Sequence, residues 1–157
     1  MSVDVMNIVK DNIDVTVHLS LATAKDNKPW VCEVHFAYDK NFNLYFRSLS
    51  SRRHSQEIAE NPHVAGNIID LHPVDRSYVL GIYFEGKANM IEDKKEKTIA
   101  AQLLAERLHS NLNEIIDESR DPNGHQFYKI TVREWSVFGK FKGQDQPSSK
   151  HIFKREL

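Results

Sequence analysis

The feature that most constrains the fold is a two-residue alternation of apolar and polar side chains, broken repeatedly by turn residues. The alternation runs through Val17, Leu19 and Leu21, stops at Asp26-Asn27-Lys28-Pro29, and resumes from Trp30 to Tyr38. A period of two residues is that of a β-strand with one buried face. The segments on either side of the break therefore predict a β-hairpin.

Further segments carry the same strand signature. Leu44 to Ser48, after a second turn, extends the hairpin into an antiparallel meander, and Gly86 inside a later strand predicts a β-bulge. The remaining strand predictions are His63 to Leu71, Tyr78 to Ile91, and Phe127 to Val132 followed by Trp135 to Phe138, as a strand pair or one bent strand.

Three segments favour helices. Apolar residues at three- and four-residue spacing predict a short helix from Val5 to Ile13, over one end of a barrel, and the longest helix between Asp93 and Ser119, kinked near Ser110-Asn111. Ser50 or Ser51 is suited to cap a further helix that ends at Asn61-Pro62. The tail from Gly139 is basic and polar and predicts no core.

The order of these elements predicts a mainly β fold with accessory helices. Many short strands without a regular strand and helix alternation are typical of an antiparallel barrel. The chain has 157 residues, the size of one domain, and no linker divides it. We therefore predict a single domain over residues 1–157.

Charge and cysteine content exclude several classes of protein. A net charge of −1 argues against a surface built to neutralise nucleic-acid phosphates. The lone Cys32 cannot form an internal disulfide, and as a single thiol it favours a small buried side chain over a nucleophile. The sequence shows no charged-then-apolar stretch and no apolar run near roughly 20 residues, so we expect neither a leader nor a membrane helix. It predicts a cytoplasmic protein that binds neither nucleic acid nor membrane.

The segment from Arg47 to Gln56 is the strongest candidate for chemistry. Free N–H groups and the macrodipole favour an anion at a helix N-terminus, while arginine forks and serine hydroxyls add donors. The segment therefore predicts a phosphate site, and the alternative is a solvated basic turn capped by serine. The candidate ligands are Arg47, Ser48, Ser51, Arg52, Arg53, His54 and Ser55.

Several short strings follow one another in order between Leu19 and about Gly86. They are Leu21-Ala22-Thr23, Lys28-Pro29-Trp30, Leu44-Tyr45-Phe46-Arg47-Ser48, Ser51-Arg52-Arg53-His54, Asn61-Pro62-His63-Val64-Ala65 and Phe84-Glu85-Gly86-Lys87-Ala88. Together they resemble the pyridoxamine 5′-phosphate oxidase-related FMN-binding split barrels. The resemblance implies an antiparallel split β-barrel that binds FMN, assembled as a homodimer with the cofactor at the subunit interface.

The resemblance also assigns residues to the cofactor. A Ser-Arg-Lys string that holds the FMN phosphate in the superfamily falls on Arg52, Arg53 and His54, of which Arg53 is the clean match. His54 replaces a lysine, so its charge depends on pH, and phosphate affinity is expected to weaken as pH rises. Ser48 matches a Ser or Thr at the end of the preceding strand. The strand along the flavin ring falls on Val34, His35 and Phe36, for which barrel core or a structural histidine is the alternative.

Other positions depart from the oxidases or come from the partner chain. Gly81 stands where the oxidases carry a glutamine that contacts the cofactor, and their C-terminal arginine motif for pyridoxal phosphate is not recognisable, so oxidation of vitamin B6 is not predicted. Trp135, Lys140 and Lys142 are the candidates for completing the pocket of the partner, with core packing or a solvated tail as their alternatives.

Three functions follow from these observations. The first is an FMN-dependent oxidoreductase that passes hydride or electrons between bound FMN and a small molecule. The second keeps the fold but only binds or carries a flavin or haem. The third is an anion or nucleic-acid binding barrel that uses Arg47, Arg52 and Arg53 with Tyr45 and Phe46 for stacking. No metal site is predicted, because none of the eight histidines stands in an HExxH or cysteine-rich arrangement.

Overall fold

The computed structural model describes residues 3–69, 80–139 and 149–156. Within them the helices are α1 (Val5–Ile13), α2 (Arg53–Glu60), α3 (Lys94–Leu108) and α4 (Leu112–Glu118). The strands are β1 (His18–Lys25), β2 (Lys28–Tyr38), β3 (Leu44–Leu49), β4 (His63–Ile68), β5 (Leu80–Met90), β6 (His125–Gly139) and β7 (Ser149–Lys154).

The strands form one antiparallel sheet in the order β3-β2-β1-β4-β5-β6-β7. Strand β3 also pairs with β6, so six of the strands close into a ring and β7 is added beside the second half of β6. The predicted mainly β, antiparallel fold with accessory helices is therefore confirmed.

The first hairpin and the meander are confirmed. Lys25 pairs with Lys28, and the two residues between them, Asp26 and Asn27, have φ of 50° and 59°. Positive φ at both central residues is the geometry of a type I′ turn, whose twist matches that of the flanking strands.

The ring is open at the seam between β2 and β3. These strands pair only where Phe36–Tyr38 meets Leu44–Phe46, and among the described strands the segment from Lys28 to His35 pairs with β1 alone. The rest of β3 pairs with β6 instead. The two strands therefore diverge on the Lys28 side of Phe36, and in the described part of the chain this edge of β2 has no partner strand.

The core fills the inside of the ring. Helix α1 contributes Val5, Val9 and Ile13 to it and contacts β6 and β7, which confirms the predicted opening helix. A second apolar cluster lies under α3 and joins it to β2 and β3, with Leu104 and Phe127 among its buried members. None of the described helices combines the length and the apolar character that crossing a bilayer requires.

Several local predictions are corrected by the structure. Helix α2 begins after Arg52, which is its N-cap, and not after Ser50 or Ser51. The helix predicted between Asp93 and Ser119 is two helices, because His109 adopts the left-handed conformation with φ of 52° and ends α3.

The strand predictions near the C-terminus are also refined. The segment from Phe127 to Phe138 is one long strand, β6, and the tail contains the strand β7, which the sequence did not indicate. The predicted bulge is present, since the register of β5 against β6 shifts between Glu85 and Gly86. A Cβ at Gly86 would lie 2.3 Å from the Thr131 carbonyl oxygen, so the close approach of the two strands requires glycine.

Candidate functional site

A cleft of about 810 Å³ opens at the seam of the ring. Its walls are the free edge of β2, the end of β3, the first turn of α2 and the C-terminal end of α3. This volume is in the range of sites for drug-sized ligands and cofactors. The lining residues are His18, Trp30, Cys32, Glu33, Val34, His35, Arg47, Ser48, Leu49, Arg52, Arg53, His54, Leu104, Leu108, Ser110 and His125.

The β2 edge presents main-chain groups to this cleft. Opposed residues of an antiparallel pair alternate between bonded and non-bonded positions, and the Phe36 amide donates to the Val17 carbonyl oxygen. The same alternation directs the N–H and C=O groups of His35 and Glu33 away from β1, toward the seam. Because β3 has diverged at this point, the described residues offer these groups no partner strand.

The first turn of α2 has neither a side-chain cap nor an acidic residue. Its N-cap residue is Arg52, which makes no side-chain cap hydrogen bond. Free amides and the positive end of the helix dipole make cationic side chains unfavourable there, yet Arg52 and Arg53 occupy this end, with the imidazole of His54 beside them. A bound phosphate would satisfy the amides and offset the repulsion among these groups.

Arg53 is held in one orientation by its surroundings. Its Nε donates to Glu57 Oε1 at 2.7 Å, and its guanidinium carbon lies 4.4 Å from the centre of the Trp30 ring. The Thr23 hydroxyl donates to the other carboxylate oxygen of Glu57 at 2.5 Å. Both hydrogen bonds, that from Thr23 first, lower the pKa of Glu57, so this buried carboxyl is ionised.

His54 forms a short polar contact with the end of β3. Its Nε2 lies 2.7 Å from Ser48 Oγ, and Ser48 is itself buried. Burial, and then the charge of Arg52, lower the pKa of His54 below its ordinary value of 6.5, although Glu57 opposes this shift. The imidazole is therefore neutral at pH 7, and the Ser48 contact fixes its orientation.

Arg47 lies in the second half of β3 and lines the cleft. Its guanidinium pairs with Glu118 on α4 and lies 6.0 Å from the centre of the Phe127 ring. The buried Nε of Arg47 has no hydrogen-bond partner among the described residues. A buried N–H without a partner carries a desolvation cost that a ligand acceptor would remove.

The cleft gathers most of the residues predicted from the sequence, namely Val34, His35, Arg47, Ser48, Arg52, Arg53 and His54. Phe36 and Ser55 are buried and do not line it, and the Phe36 amide is already bonded to Val17. Trp135 is buried in the core, with its ring centre 5.7 Å from that of Phe84. Lys140 and Lys142 lie outside the described residues.

The burial of Tyr45 and Phe46 removes the stacking platform of the nucleic-acid hypothesis. The two side chains are 3% and 0% exposed and belong to the core clusters. Base stacking on a protein requires an accessible aromatic face. These two side chains therefore cannot serve as the stacking surface.

Sequence reasoning missed the lining residues that come from distant segments. His18 faces His35 across the β1 and β2 pair, with ring centres 4.5 Å apart in an edge-to-face arrangement. Leu104 and Leu108 come from α3, where helical spacing predicted an apolar face but not the cleft that it lines. Cys32 packs against the core, and burial raises the pKa of its thiol, which is therefore neutral.

The described strands form an antiparallel ring with one open seam, and a basic helix start lies beside that seam. The sequence matches the family described as pyridoxamine 5′-phosphate oxidase over residues 15–139, which is most of the chain. The chain belongs to this family, and the predicted resemblance is confirmed. No curated protein matches the chain significantly.

Solved structures with low sequence identity share the fold. A candidate 5-nitroimidazole antibiotic resistance protein from Bacteroides thetaiotaomicron has a TM-score of 0.70 at 16% identity, covering 88% of this chain and 87% of that one. An FAD-binding protein from Mesorhizobium loti has a TM-score of 0.63 at 19% identity, covering 88% and 96%. A haem-binding protein from Mycobacterium smegmatis has a TM-score of 0.64 at 14% identity, covering 96% of this chain and 59% of that one.

Proposed function

We propose that this protein binds FMN in the seam cleft and uses it as an oxidoreductase, with a small organic molecule as the second reactant. The observation that carries the proposal is the start of α2, where Arg52, Arg53 and His54 surround an uncapped helix N-terminus at the cleft. This arrangement disfavours the empty protein and favours a phosphate ester. The terminal phosphate of FMN is such a group.

The remainder of the cleft suits a planar polar ring. The main-chain groups of Glu33 and His35 on the β2 edge offer both donors and acceptors, as the pyrimidine edge of a flavin requires. Val34 beside them and Leu104 and Leu108 opposite add apolar surface. The cleft thus has a basic, anion-binding end at α2 and an amphipathic end along β2.

A bound flavin supplies the hydride and electron transfer itself. The residues of the chain bind and orient it: Arg53 and the α2 amides hold the phosphate, Arg47 offers its unpartnered Nε, and the β2 edge fixes the ring. The neutral thiol of Cys32 is not a nucleophile at pH 7. We also place the protein in the cytoplasm, where a lone thiol stays reduced.

We further propose a homodimer that completes the cleft. An outward row of Val31, Ala22 and Ala65 crosses three strands, and Val31 is 60% exposed. Val31 adjoins Trp30 and Cys32 in the cleft wall, so a second copy seated on this row would also cover the cleft. Lys140 remains the candidate for the partner's contribution, whereas the core position of Trp135 removes its ring from that role.

A second candidate function is binding or carriage of haem or flavin without turnover. Four histidines, His18, His35, His54 and His125, line the same cleft, and imidazole is a common axial ligand of haem iron. The haem-binding protein from Mycobacterium smegmatis has the same fold. This candidate shares the cleft with the first and differs in the cofactor or in turnover.

Reconstitution separates these functions. The purified protein is titrated with FMN, riboflavin and haemin, and each complex is followed by its absorption spectrum. FMN binding at micromolar concentration, with release on denaturation, supports the first proposal, and oxidation of reduced nicotinamide by the FMN complex distinguishes an enzyme from a carrier. Preferential binding of haemin with a Soret band that disappears in a His35→Ala variant supports the second. If neither FMN nor haemin binds, both proposed functions are refuted.

A further inference from the structure

The contact between Arg53 and Glu57 raises a question of electrostatics. A carboxylate beside a phosphate site repels the ligand, so its presence next to the best candidate phosphate ligand opposes binding by charge alone. Glu57 is nevertheless buried and ionised, and it bonds directly to Arg53 Nε at 2.7 Å. If Glu57 favours phosphate binding, it must do so through an effect that is larger than its repulsion of the phosphate.

The contacts of Arg53 show how Glu57 can have such an effect. Glu57 occupies the Nε donor, and the face of the guanidinium lies over the Trp30 ring at 4.4 Å. The described residues give the two terminal nitrogens of Arg53 no hydrogen-bond partner. Arg53 is therefore held by its Nε and by its face, while the terminal nitrogens remain available at the cleft wall.

The hairpin of β1 and β2 anchors this arrangement. Thr23 and Trp30 are direct cross-strand partners, so their side chains leave the sheet on the same face. Thr23 donates a hydrogen bond to Glu57, and the ring of Trp30 packs against the guanidinium of Arg53. The orientation of an arginine on α2 is thereby set by two residues of a rigid hairpin.

We propose that Thr23 and Glu57 are positioning residues that orient Arg53 for a phosphate ester in the cleft. The inference rests on the proposed function and adds the means by which the phosphate end is selected. A long side chain loses rotamer freedom when it binds, and orienting it before the ligand arrives removes that cost. If Glu57 acts by orienting Arg53, its removal should weaken the binding of the phosphate. If Glu57 acts only through its negative charge, its removal should strengthen that binding.

The test compares FMN with riboflavin, which has the same ring but no phosphate. The variant Thr23→Val/Glu57→Leu removes the buried hydroxyl and the buried carboxylate together. The Arg53 Nε that loses its acceptor belongs to a side chain that is 47% exposed and can bond to water instead, so the variant is expected to fold. Its ratio of riboflavin Kd to FMN Kd should fall at least fivefold although a negative charge has been removed. The matched control is Glu60→Gln, which removes a carboxylate from the same helix that pairs with Lys25, and should leave the ratio unchanged.

The other outcomes are decisive as well. A ratio that is unchanged or higher in the double variant shows that charge governs the site and overturns the positioning role while the proposed function stands. Wild-type protein that binds neither flavin overturns the proposed function. The same variants are then titrated with inorganic phosphate in a Trp135→Phe background, where tryptophan emission comes from Trp30 alone, and equal phosphate affinities overturn the positioning role independently.

Discussion

Replacing Arg53 by alanine removes the best-oriented cation of the seam cleft. The guanidinium is fixed by Glu57 and Trp30, so the wild-type protein presents its terminal nitrogens with little ordering cost. In the variant, the ionised Glu57 keeps only the Thr23 hydroxyl as a partner and its charge is no longer neutralised. The phosphate therefore loses an attraction and meets an uncovered repulsion.

The size of the effect follows from the exposure of Arg53. A charge-assisted hydrogen bond contributes about 1.5–3 kcal/mol. The Arg53 side chain is 47% exposed, and solvent screening favours the lower half of that range. We expect FMN affinity to fall roughly 10- to 40-fold, at about 1.4 kcal/mol for each factor of ten.

Fluorescence titration with FMN measures this loss, since FMN emission changes when its ring enters a protein site. Arg120→Ala is the matched control, because it removes one equally charged side chain that pairs with Asp117 at the surface and does not line the cleft. Riboflavin affinity should change little in either variant. Equal losses of FMN affinity in Arg53→Ala and Arg120→Ala would refute the phosphate role of Arg53, since net charge alone would then account for both.

Three further predictions concern pH, packing and assembly. Because the pKa of His54 is lowered from 6.5, the unfolded chain binds more protons below pH 6.5, so the free protein should lose stability as pH falls there, and denaturant titrations of His54→Gln should show a weaker loss. FMN affinity should increase as pH falls through the same range and should be constant at higher pH. An affinity that does not change with pH would show that His54 contributes no charge. Gly86→Ala should destabilise the protein by about 1–3 kcal/mol through the clash with Thr131, measured by thermal unfolding, and an unchanged midpoint would contradict the tight bulge. Val31→Glu should convert the proposed dimer into a monomer in light scattering while Ile99→Glu, at a similarly exposed site on α3, should not; a dimer in both would move the interface elsewhere.

The elements that the sequence predicted correctly depend on local patterns. The hairpin follows from the Asp26-Asn27 break, and α1 follows from the spacing of Val5, Val9 and Ile13. The basic and hydroxyl residues that meet at the cleft could be singled out because they lie within one strand end and one helix start. Such features need only the propensities and spacing of neighbouring residues.

The features that were missed depend on contacts between distant segments. Trp30 packs against Arg53 only because the hairpin and α2 pack together, and Leu104 lines the cleft only because of where α3 docks.

Two local features were also missed. The break after α3 follows from a left-handed histidine, His109, and a residue other than glycine in that conformation gives a weak sequence signal. Arg52 became the N-cap because the turn after β3 places it there, although Ser51 has the better intrinsic capping preference.

The unpaired edge of β2 has a consequence for how this chain tolerates mutation. Hydrogen-bonding groups of the main chain are the same in every residue except proline, so exchanges of Glu33 for other non-proline residues keep the donors and acceptors at the seam. Proline is the exception, since it removes the N–H that faces the seam. A deep mutational scan for ligand binding should therefore find position 33 permissive to nineteen residues and closed to the twentieth. Neutral substitutions would then preserve the main-chain donors and acceptors of this part of the cleft even where the side chains have changed.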